Sequence, residues 1–239
     1  PPSINLCPFI PTSPDVVFTS GSAAQKQLSN SKRLICSDIR TLGSIRSGSL
    51  AKLTDYNERL QRRKTPVCLV IPEGLVGEST LLFNYALACA KKLPDVLFIW
   101  RMHPILSFDT LIEQYPGLGQ LPDNVQHSSV TLEQDAERAS WALYRGSTAI
   151  ISATLLGAAP VYMQTPNEMT LDPFHQLSES RAIVETVDDF VALVNQTGYP
   201  SESQINEVTN HCLELMSPID SKILIDYLSE TENLDISND

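Results

Sequence analysis

The stretch WALYRGSTAIISATLLGAAPVYM, residues 141–163, decides the fold of this chain. Its first four residues form an apolar run that stops shortly before Gly146. A hydroxyl pair, Ser147 and Thr148, then opens a segment of small and aliphatic residues that Gly157 closes, and a second apolar run follows at once. Two strand-length apolar runs on either side of a helix-length segment predict a β–α–β unit, which is the building block of a parallel sheet.

The same alternation extends on both sides of this unit. Continuous apolar runs at residues 67–71 and 96–100 predict strands that are buried on both faces, and shorter runs predict strands at residues 125–127 and 181–184. Helices are predicted between the strands, at residues 78–93, 108–114, 132–139 and 188–195. Repeated β–α units predict an α/β protein with a Rossmann-like, doubly wound parallel sheet.

The chain is predicted to have three segments. Residues 1–46 form a partial α/β segment and a linker, with strands at residues 15–20 and 33–36. Residues 47–200 form the Rossmann-like domain, and residues 201–239 form C-terminal helices with an acidic tail. Further helices are predicted at residues 50–62, 203–216 and 219–228. Because a few short elements do not cover a sheet on both faces, we expect the first segment to need a partner domain or a second copy of the chain.

The composition argues against several classes of function. The formal net charge is −11, which disfavours sequence-independent nucleic-acid binding because that needs a basic surface. No apolar run reaches the length of about 18 residues that a transmembrane helix needs, so no transmembrane segment is predicted. The five cysteines are scattered and the histidines are not clustered, which predicts reduced core cysteines, a cytoplasmic protein and no metal site.

Polar residues follow three of the predicted strands. They are Glu73 and Gly74 after the strand at 67–71, Arg101, His103 and Pro104 after the strand at 96–100, and Arg145, Gly146, Ser147 and Thr148 after the strand at 141–144. Ligands of parallel α/β sheets bind beyond the carboxyl ends of the strands. We therefore expect these residues to converge on one binding site.

The residues that follow the strand at 141–144 predict a phosphate site. The backbone N–H groups of a helix N-terminus favour an anion, and the hydroxyls of Ser147 and Thr148 add two donors. Gly146 allows a close backbone approach, and Arg145 has the planar fork that binds phosphate oxygens. The alternative is ordinary N-capping by one of the hydroxyls.

His103 is predicted to stabilise a leaving nucleotide. It lies at the end of a strand, and Pro104 fixes the local backbone and hence the direction of the imidazole. An imidazole in that place can donate a hydrogen bond to a phosphate oxygen as charge builds up there. Arg101 is either a second phosphate contact or the partner of a nearby carboxylate.

The carboxylates near the same strand ends have two interpretations each. Glu73, beside Gly74, is a candidate catalytic base or acceptor contact, and the alternative is a solvated loop carboxylate. Glu168 and Asp172 follow the apolar run at 160–163 and are candidates for binding ribose hydroxyls. Ordinary turn chemistry explains Asp172 equally well.

The order of these motifs resembles a known pattern. It is similar to the acidic-glycine, HP and SS/ST motifs of bacterial GT-B glycosyltransferases that use CMP-activated sugars, here Glu73-Gly74, His103-Pro104 and Ser147-Thr148. Those families include sialyltransferases, polysialyltransferases and the Kdo transferases of capsule and lipopolysaccharide assembly, and residues 144–173 particularly resemble the Kdo type. The resemblance implies that His103, Ser147 and Thr148 contact CMP.

The resemblance also implies a reaction. A member of these families transfers a sugar, here Kdo or a sialic-acid-like sugar, from a CMP-sugar donor to a surface glycan, with no further cofactor. It acts in the cytoplasm, or at the periphery of the inner membrane. GT-B enzymes have two Rossmann-like domains, and this chain has room for the second together with the closing elements of the first. The alternatives are a non-catalytic nucleotide- or partner-binding module, a nucleotide-sugar epimerase and a polyol-phosphate transferase on the same fold.

Overall fold

The structure of the protein is a computed structural model, which describes residues 14–31, 38–47, 56–62, 64, 66–169, 171–177, 180–195 and 200–236. The chain divides into two compact units. The smaller unit combines Pro1–Ala51 with Asn210–Asp239, and the larger unit is Lys52–Thr209. The two ends of the chain therefore belong to one unit.

The elements follow each other in the alternating order that the apolar pattern predicts. In the described ranges the strands are β1 (Val16–Thr19), β2 (Asp38–Thr41), β3 (Val67–Ile71), β4 (Leu97–Trp100), β5 (Val125–His127), β6 (Trp141–Tyr144), β7 (Ala159–Met163) and β8 (Ala182–Val184). The helices are α1 (Ser22–Ser29), α2 (Tyr56–Arg62), α3 (Val76–Lys92), α4 (Phe108–Gln114), α5 (Leu132–Arg138), α6 (Ala149–Leu155), α7 (Val187–Asn195), α8 (Glu202–Leu215) and α9 (Ser221–Ile236). Short 3₁₀ helices cover Ile45–Ser47 and Pro116–Gly119.

Two of the predicted elements need comment. The strand predicted at residues 33–36 lies outside the described residues, and the described strand nearest to it in the sequence is β2. The last helix continues well beyond its predicted end at Leu228, to Ile236. The sequence expectation ended it too early because acidic residues dominate that stretch, and acidic residues do not by themselves terminate a helix.

The larger unit is built on a six-stranded parallel sheet. The strand order is β5-β4-β3-β6-β7-β8, and every neighbouring pair is parallel. Every residue of β3, β6 and β7 is buried, as expected for strands whose two faces are both covered. The predicted Rossmann-like, doubly wound α/β class is therefore confirmed.

Aromatic side chains fill the core between α3 and the sheet. Phe83 of α3 stacks on Trp100 of β4, with ring centroids 4.5 Å apart. Phe98 of β4 lies 6.0 Å from Phe190 of α7. All four side chains are fully buried, so this layer holds two helices and the strand in fixed positions.

Local signals explain where the helices near the site begin and end. Thr131 and Gln134 form a reciprocal capping box at the start of α5. Gly157 follows the end of α6 with a φ of 109°, a left-handed conformation that favours glycine. The chain can therefore turn directly from α6 into β7.

The smaller unit joins the two ends of the chain. Its strands β1 and β2 pair in parallel. Phe18 of β1 meets Tyr227 of α9 edge-on, with centroids 5.6 Å apart, and Arg40 of β2 donates to Glu230 at 2.6 Å. Gly43 has a φ of 88° and lies against the backbone of Pro218, so a side chain is excluded there on two grounds.

Candidate functional site

The loops that carry the predicted residues leave neighbouring strands at one end of the sheet. β3 lies between β4 and β6, and β7 is the next strand beyond β6. Because these strands are parallel, the loops that follow them start at the same edge of the sheet. We call this end of the sheet the carboxyl edge; its loops are residues 72–75, 101–107, 145–148 and 164–169.

Glu73 and Gly146 are in direct contact at the carboxyl edge. A Cβ atom added to Gly146 would lie 2.5 Å from Oε1 of Glu73 and 2.9 Å from its Cδ. Only the absence of a side chain at residue 146 therefore leaves room for this carboxyl group. The Oε1 atom is buried and has no hydrogen-bond partner among the described residues. The loops after β3 and β6 thus meet around one carboxyl group.

The imidazole of His103 lies against Gly74. Its Nδ1 atom would be 3.0 Å from a Cβ added to Gly74, and it accepts a hydrogen bond from the backbone N–H of Ile105 at 3.4 Å. When Nδ1 accepts, the ring proton of the neutral imidazole is on Nε2, and this hydrogen bond assigns that tautomer. The Nε2–H group is then the one that is able to donate to a ligand.

The surroundings of Glu73 favour its protonated form. Partial burial raises the pKa of this carboxyl group above its usual value, and the nearby carboxylate of Glu78 raises it further. Arg145, the backbone N–H of Gly146 and His103 lower the pKa of Glu73 and offset only part of that rise. A carboxyl group with a raised pKa is better suited to acid–base chemistry than an ordinary solvated glutamate.

Arg145 is held by protein groups on three sides. Its Nε donates to Glu78 at 2.6 Å, Nη2 donates to Glu168 at 2.5 Å, and Nη1 donates to the hydroxyl of Thr165. The hydrogen bond from Arg145, and a second one from the hydroxyl of Thr165, lower the pKa of Glu168. A phosphate reaches the guanidinium only by displacing a carboxylate. The nucleotide contacts of Arg145 and Glu168 stay predictions.

The hydroxyl pair is not used for helix capping. Thr148 is the N-cap residue of α6, its φ and ψ are −69° and −12°, and its side chain makes no capping hydrogen bond. Ser147 is half-buried and Thr148 is exposed. In the part of the chain that the structure describes, neither hydroxyl has a hydrogen-bond partner. Both hydroxyls are therefore available to a ligand, which favours the phosphate interpretation over capping.

Arg101 is the partner of a carboxylate. Its Nη1 donates to Asp135 at 3.2 Å and to the backbone carbonyl of Val130 at 2.8 Å. Asp135 is fully buried and also binds Arg138 at 2.9 Å. This geometry corresponds to the second of the two interpretations of Arg101, and its phosphate contact stays a prediction.

Asp172 lies inside the protein. Its Oδ1 accepts from the hydroxyl of Tyr144 at 2.7 Å and from the backbone N–H of Phe174 at 2.8 Å, and its Oδ2 accepts from Arg181 at 2.5 Å. The Asp172 side chain is 0% exposed. These bonds fix the segment after β7 to the end of β6, which favours a structural role. The ribose contact of Asp172 stays a prediction that this geometry does not support.

The carboxyl edge also has an apolar rim that the sequence interpretation missed. Leu75, Ile105 and Leu171 are 62%, 77% and 54% exposed. A Cβ added to Gly74 would lie 2.7 Å from Ile105, and one added to Gly146 would lie 3.1 Å from Leu171. The signals in the sequence are the large apolar residues that directly follow Gly74, Pro104 and Thr170. The role of Glu78 as a partner of Arg145 was missed as well.

No group of three or more His, Cys, Asp or Glu residues in the described ranges is arranged to hold a metal ion. None of the helices that the structure describes is both long and apolar enough to cross a membrane.

Comparison with known proteins defines the fold. No family model matches the chain, and no curated protein matches its sequence. Among solved structures, the UDP-GlcNAc 2-epimerase from Neisseria meningitidis bound to UDP-GlcNAc matches with a TM-score of 0.55 and 16% identity, over 90% of this chain and 62% of the epimerase. The S. aureus MnaA–UDP complex matches with a TM-score of 0.54 and 13% identity, over 92% and 60%. The glycosyltransferase SnogD from Streptomyces nogalater matches with a TM-score of 0.52 and 13% identity, over 89% and 56%.

These similarities establish the fold alone. The chain has a Rossmann-like fold of the GT-B type, the fold class of these glycosyltransferase and epimerase structures. It spans about three fifths of the length of each of them, at 62%, 60% and 56%. At identities of 13–16% the similarity does not extend to a substrate. It therefore supports the GT-B fold without reaching the CMP-sugar transferases that the sequence motifs resemble.

Proposed function

We propose that this chain supplies the nucleotide-binding part of a sugar-transferring enzyme of the GT-B class, a glycosyltransferase that uses a nucleotide-sugar donor. The observation that carries the proposal is the convergence of the loops after β3, β4 and β6. They bring the Glu73 carboxyl group, the imidazole of His103 and two unpartnered hydroxyls, Ser147 and Thr148, to one edge of the described sheet. Ligands of α/β sheets bind at this edge.

The charges of the carboxyl edge favour a donor with a single phosphate. Arg101, Arg145 and Arg181 are each bound to buried or partly buried carboxylates of the same unit. Among the described side chains that face the predicted phosphate site, His103, Ser147 and Thr148 can donate hydrogen bonds without breaking an ion pair. One phosphate monoanion needs less compensation than a diphosphate. This balance supports a nucleoside monophosphate sugar, and the motif resemblance specifies CMP-Kdo or a CMP-linked sialic-acid-like sugar.

The proposed chemistry is stabilisation of departing CMP. Nε2–H of His103 donates to a phosphate oxygen, where negative charge increases as the sugar–phosphate bond breaks. The hydroxyls of Ser147 and Thr148 donate to the same phosphate group. The acceptor is a glycan hydroxyl, and the groups that bind the acceptor are outside this proposal.

Calorimetric titration of CMP tests the proposal. Wild type should bind CMP saturably and more tightly than UDP, and His103→Ala should lose about 1.5–3 kcal/mol of binding free energy, the value of a hydrogen bond to a charged group. His127→Ala is the matched control, because His127 lies at the end of β5 and packs on Phe108 with centroids 4.0 Å apart. CMP affinity that is indifferent to His103, or no CMP binding at all, would contradict the proposal.

A nucleotide-sugar epimerase is the second candidate. The observation in its favour is the likeness to the Neisseria meningitidis enzyme and to MnaA, which carry UDP-GlcNAc and UDP in their structures. An epimerase should prefer UDP over CMP and convert its sugar without an acceptor glycan. A non-catalytic module should bind a nucleotide and turn nothing over when donor and acceptor are both supplied.

A further inference from the structure

One oxygen of the Glu73 carboxyl group, Oε1, is buried without a hydrogen-bond donor in the described part of the chain. The backbone of Gly146 covers this atom so closely that an added Cβ would lie 2.5 Å away. Because Oε1 is buried, it is not exposed to bulk water. A carboxylate in this position has one oxygen that accepts no hydrogen bond from solvent or from the described residues.

The charges that face Glu73 do not pair with it directly. Arg145, from the loop after β6, uses its nitrogens on Glu78 of α3, on Glu168 of the loop after β7 and on Thr165. His103, from the loop after β4, uses Nδ1 on the backbone of Ile105. Arg145 therefore attracts Glu73 only at a distance, while Glu78 and Glu168 bring further negative charge to the same region. Glu73 has no ion-pair partner among the described residues.

Protonation removes the cost of this arrangement. An anion with one buried, unpartnered oxygen and no counter-ion in contact is unfavourable, and the backbone N–H of Gly146 offsets only part of that cost. A neutral carboxyl group avoids most of it. Burial and Glu78 accordingly raise the pKa of Glu73. A neutral carboxyl group keeps one O–H, and that O–H is a donor that a carboxylate lacks.

We infer that Glu73 meets its ligand as a neutral carboxylic acid whose O–H donates a hydrogen bond to a phosphate oxygen, and that it is not a base. The inference rests on the proposed function, because it takes the phosphate of CMP as the ligand. It replaces the catalytic base of the sequence interpretation by a binding group that acts beside Nε2–H of His103. Removal of the proton would turn this donor into an anion that repels the phosphate.

Substitution of Glu73 by glutamine distinguishes a hydrogen-bond donor from a catalytic base. The side-chain amide of Glu73→Gln donates a hydrogen bond at every pH, so this variant should bind CMP within about twofold of wild type at a pH low enough for Glu73 to be protonated. Glu73→Ala should bind roughly tenfold or more weakly. As pH rises, wild-type affinity should fall more steeply than that of Glu73→Gln, because only the wild type loses its carboxyl proton. Glu137→Gln, which removes a carboxyl group at an exposed residue of α5, is the control. Glutamine and alanine variants that are equally weak would overturn the inference.

A second measurement keeps the inference testable if CMP does not bind. ¹³C NMR of protein labelled at the glutamate side chains follows each carboxyl group through its titration, and the resonance missing from Glu73→Gln identifies Glu73. The free protein should show this carboxyl group titrating at higher pH than the exposed glutamates. Titration together with the exposed glutamates would overturn the inference, whatever the outcome for CMP. Absence of CMP binding with a high titration point would contradict only the proposed function.

Discussion

Replacing Gly146 by alanine should destabilise the protein by forcing the loop after β6 away from Glu73. The added Cβ would lie 2.5 Å from Oε1, about 0.9 Å short of an ordinary contact at 3.4 Å, and 3.1 Å from Leu171. Glu73 is anchored nearby, because its backbone carbonyl accepts from the hydroxyl of Ser79 at 2.7 Å. Overpacking of this kind costs about 1–3 kcal/mol, and because the far end of the Glu73 side chain can move aside, we expect a loss of about 1–2 kcal/mol.

Thermal and urea denaturation measure this loss. A loss of about 1–2 kcal/mol corresponds to a decrease in Tm of about 2–8 °C for a chain of this length. Removing the carboxyl group in the double variant Gly146→Ala/Glu73→Ala should restore at least about 1 kcal/mol of the free energy of unfolding, since the two residues are in contact. Gly77→Ala is the matched control, because a Cβ added there meets nothing within 4 Å. Strictly additive effects of the two substitutions would refute the proposed contact.

The remaining predictions concern ion pairs and pH. Arg145→Ala leaves Glu78 without its cation and should cost about 2–3 kcal/mol in urea denaturation, whereas Glu168→Ala should cost clearly less because that side chain is 47% exposed. Arg181→Ala strips the fully buried Asp172 of its counter-charge and should cost about 3–5 kcal/mol in the same assay. The folded-state pKa of Glu73 is raised, so its contribution to stability is present at low pH and lost as pH rises through that pKa. Wild type should therefore lose stability relative to Glu73→Gln as pH rises above the ordinary pKa of a glutamate, as denaturation across a pH series measures.

Each of these expectations has an opposite outcome. Equal losses for Arg145→Ala and Glu168→Ala would contradict the assignment of Glu78 as the more important partner. An unchanged free energy of unfolding in Arg181→Ala would contradict the buried pair with Asp172. Parallel stability profiles of wild type and Glu73→Gln would contradict the burial of the Glu73 carboxyl group.

The larger unit was predictable because its signals are local. Val67–Ile71 and Trp141–Tyr144 are continuous apolar runs, and a strand buried on both faces needs no other pattern. Gly157 marks the end of α6 because few other residues adopt a φ of 109°. Because the loops after parallel strands start at one edge of the sheet, the sequence also predicts which loops lie together, without any knowledge of side-chain contacts.

The smaller unit was not predictable in this way. Its strands are held by contacts between the two ends of the chain, such as the backbone bond from Ser44 to Ser217 at 2.9 Å. Hydrophobic periodicity describes neighbours along the sequence and contains no information about partners so far apart. The pattern therefore located β1 and α9 without indicating that they pack together.

The roles of charged residues at the carboxyl edge were also beyond the sequence. Arg145 and Glu78 are 67 residues apart in the sequence, and Tyr144 and Asp172 are 28 apart. An arginine that binds a ligand and one that holds two carboxylates have the same local sequence signal. Only the folded geometry distinguishes them: it places Arg101 and Arg145 in ion pairs with carboxylates, while their phosphate contacts stay predictions.

The most direct test of the central claim is the map of amide chemical shifts that change when CMP is added to ¹⁵N-labelled protein. The account predicts that the largest changes fall on Gly74, His103 and residues 146–149, at the carboxyl edge. It also predicts that His103→Ala weakens the same set of changes. Changes confined to other parts of the chain, or no changes at saturating CMP, would contradict the assignment of this edge as the nucleotide site.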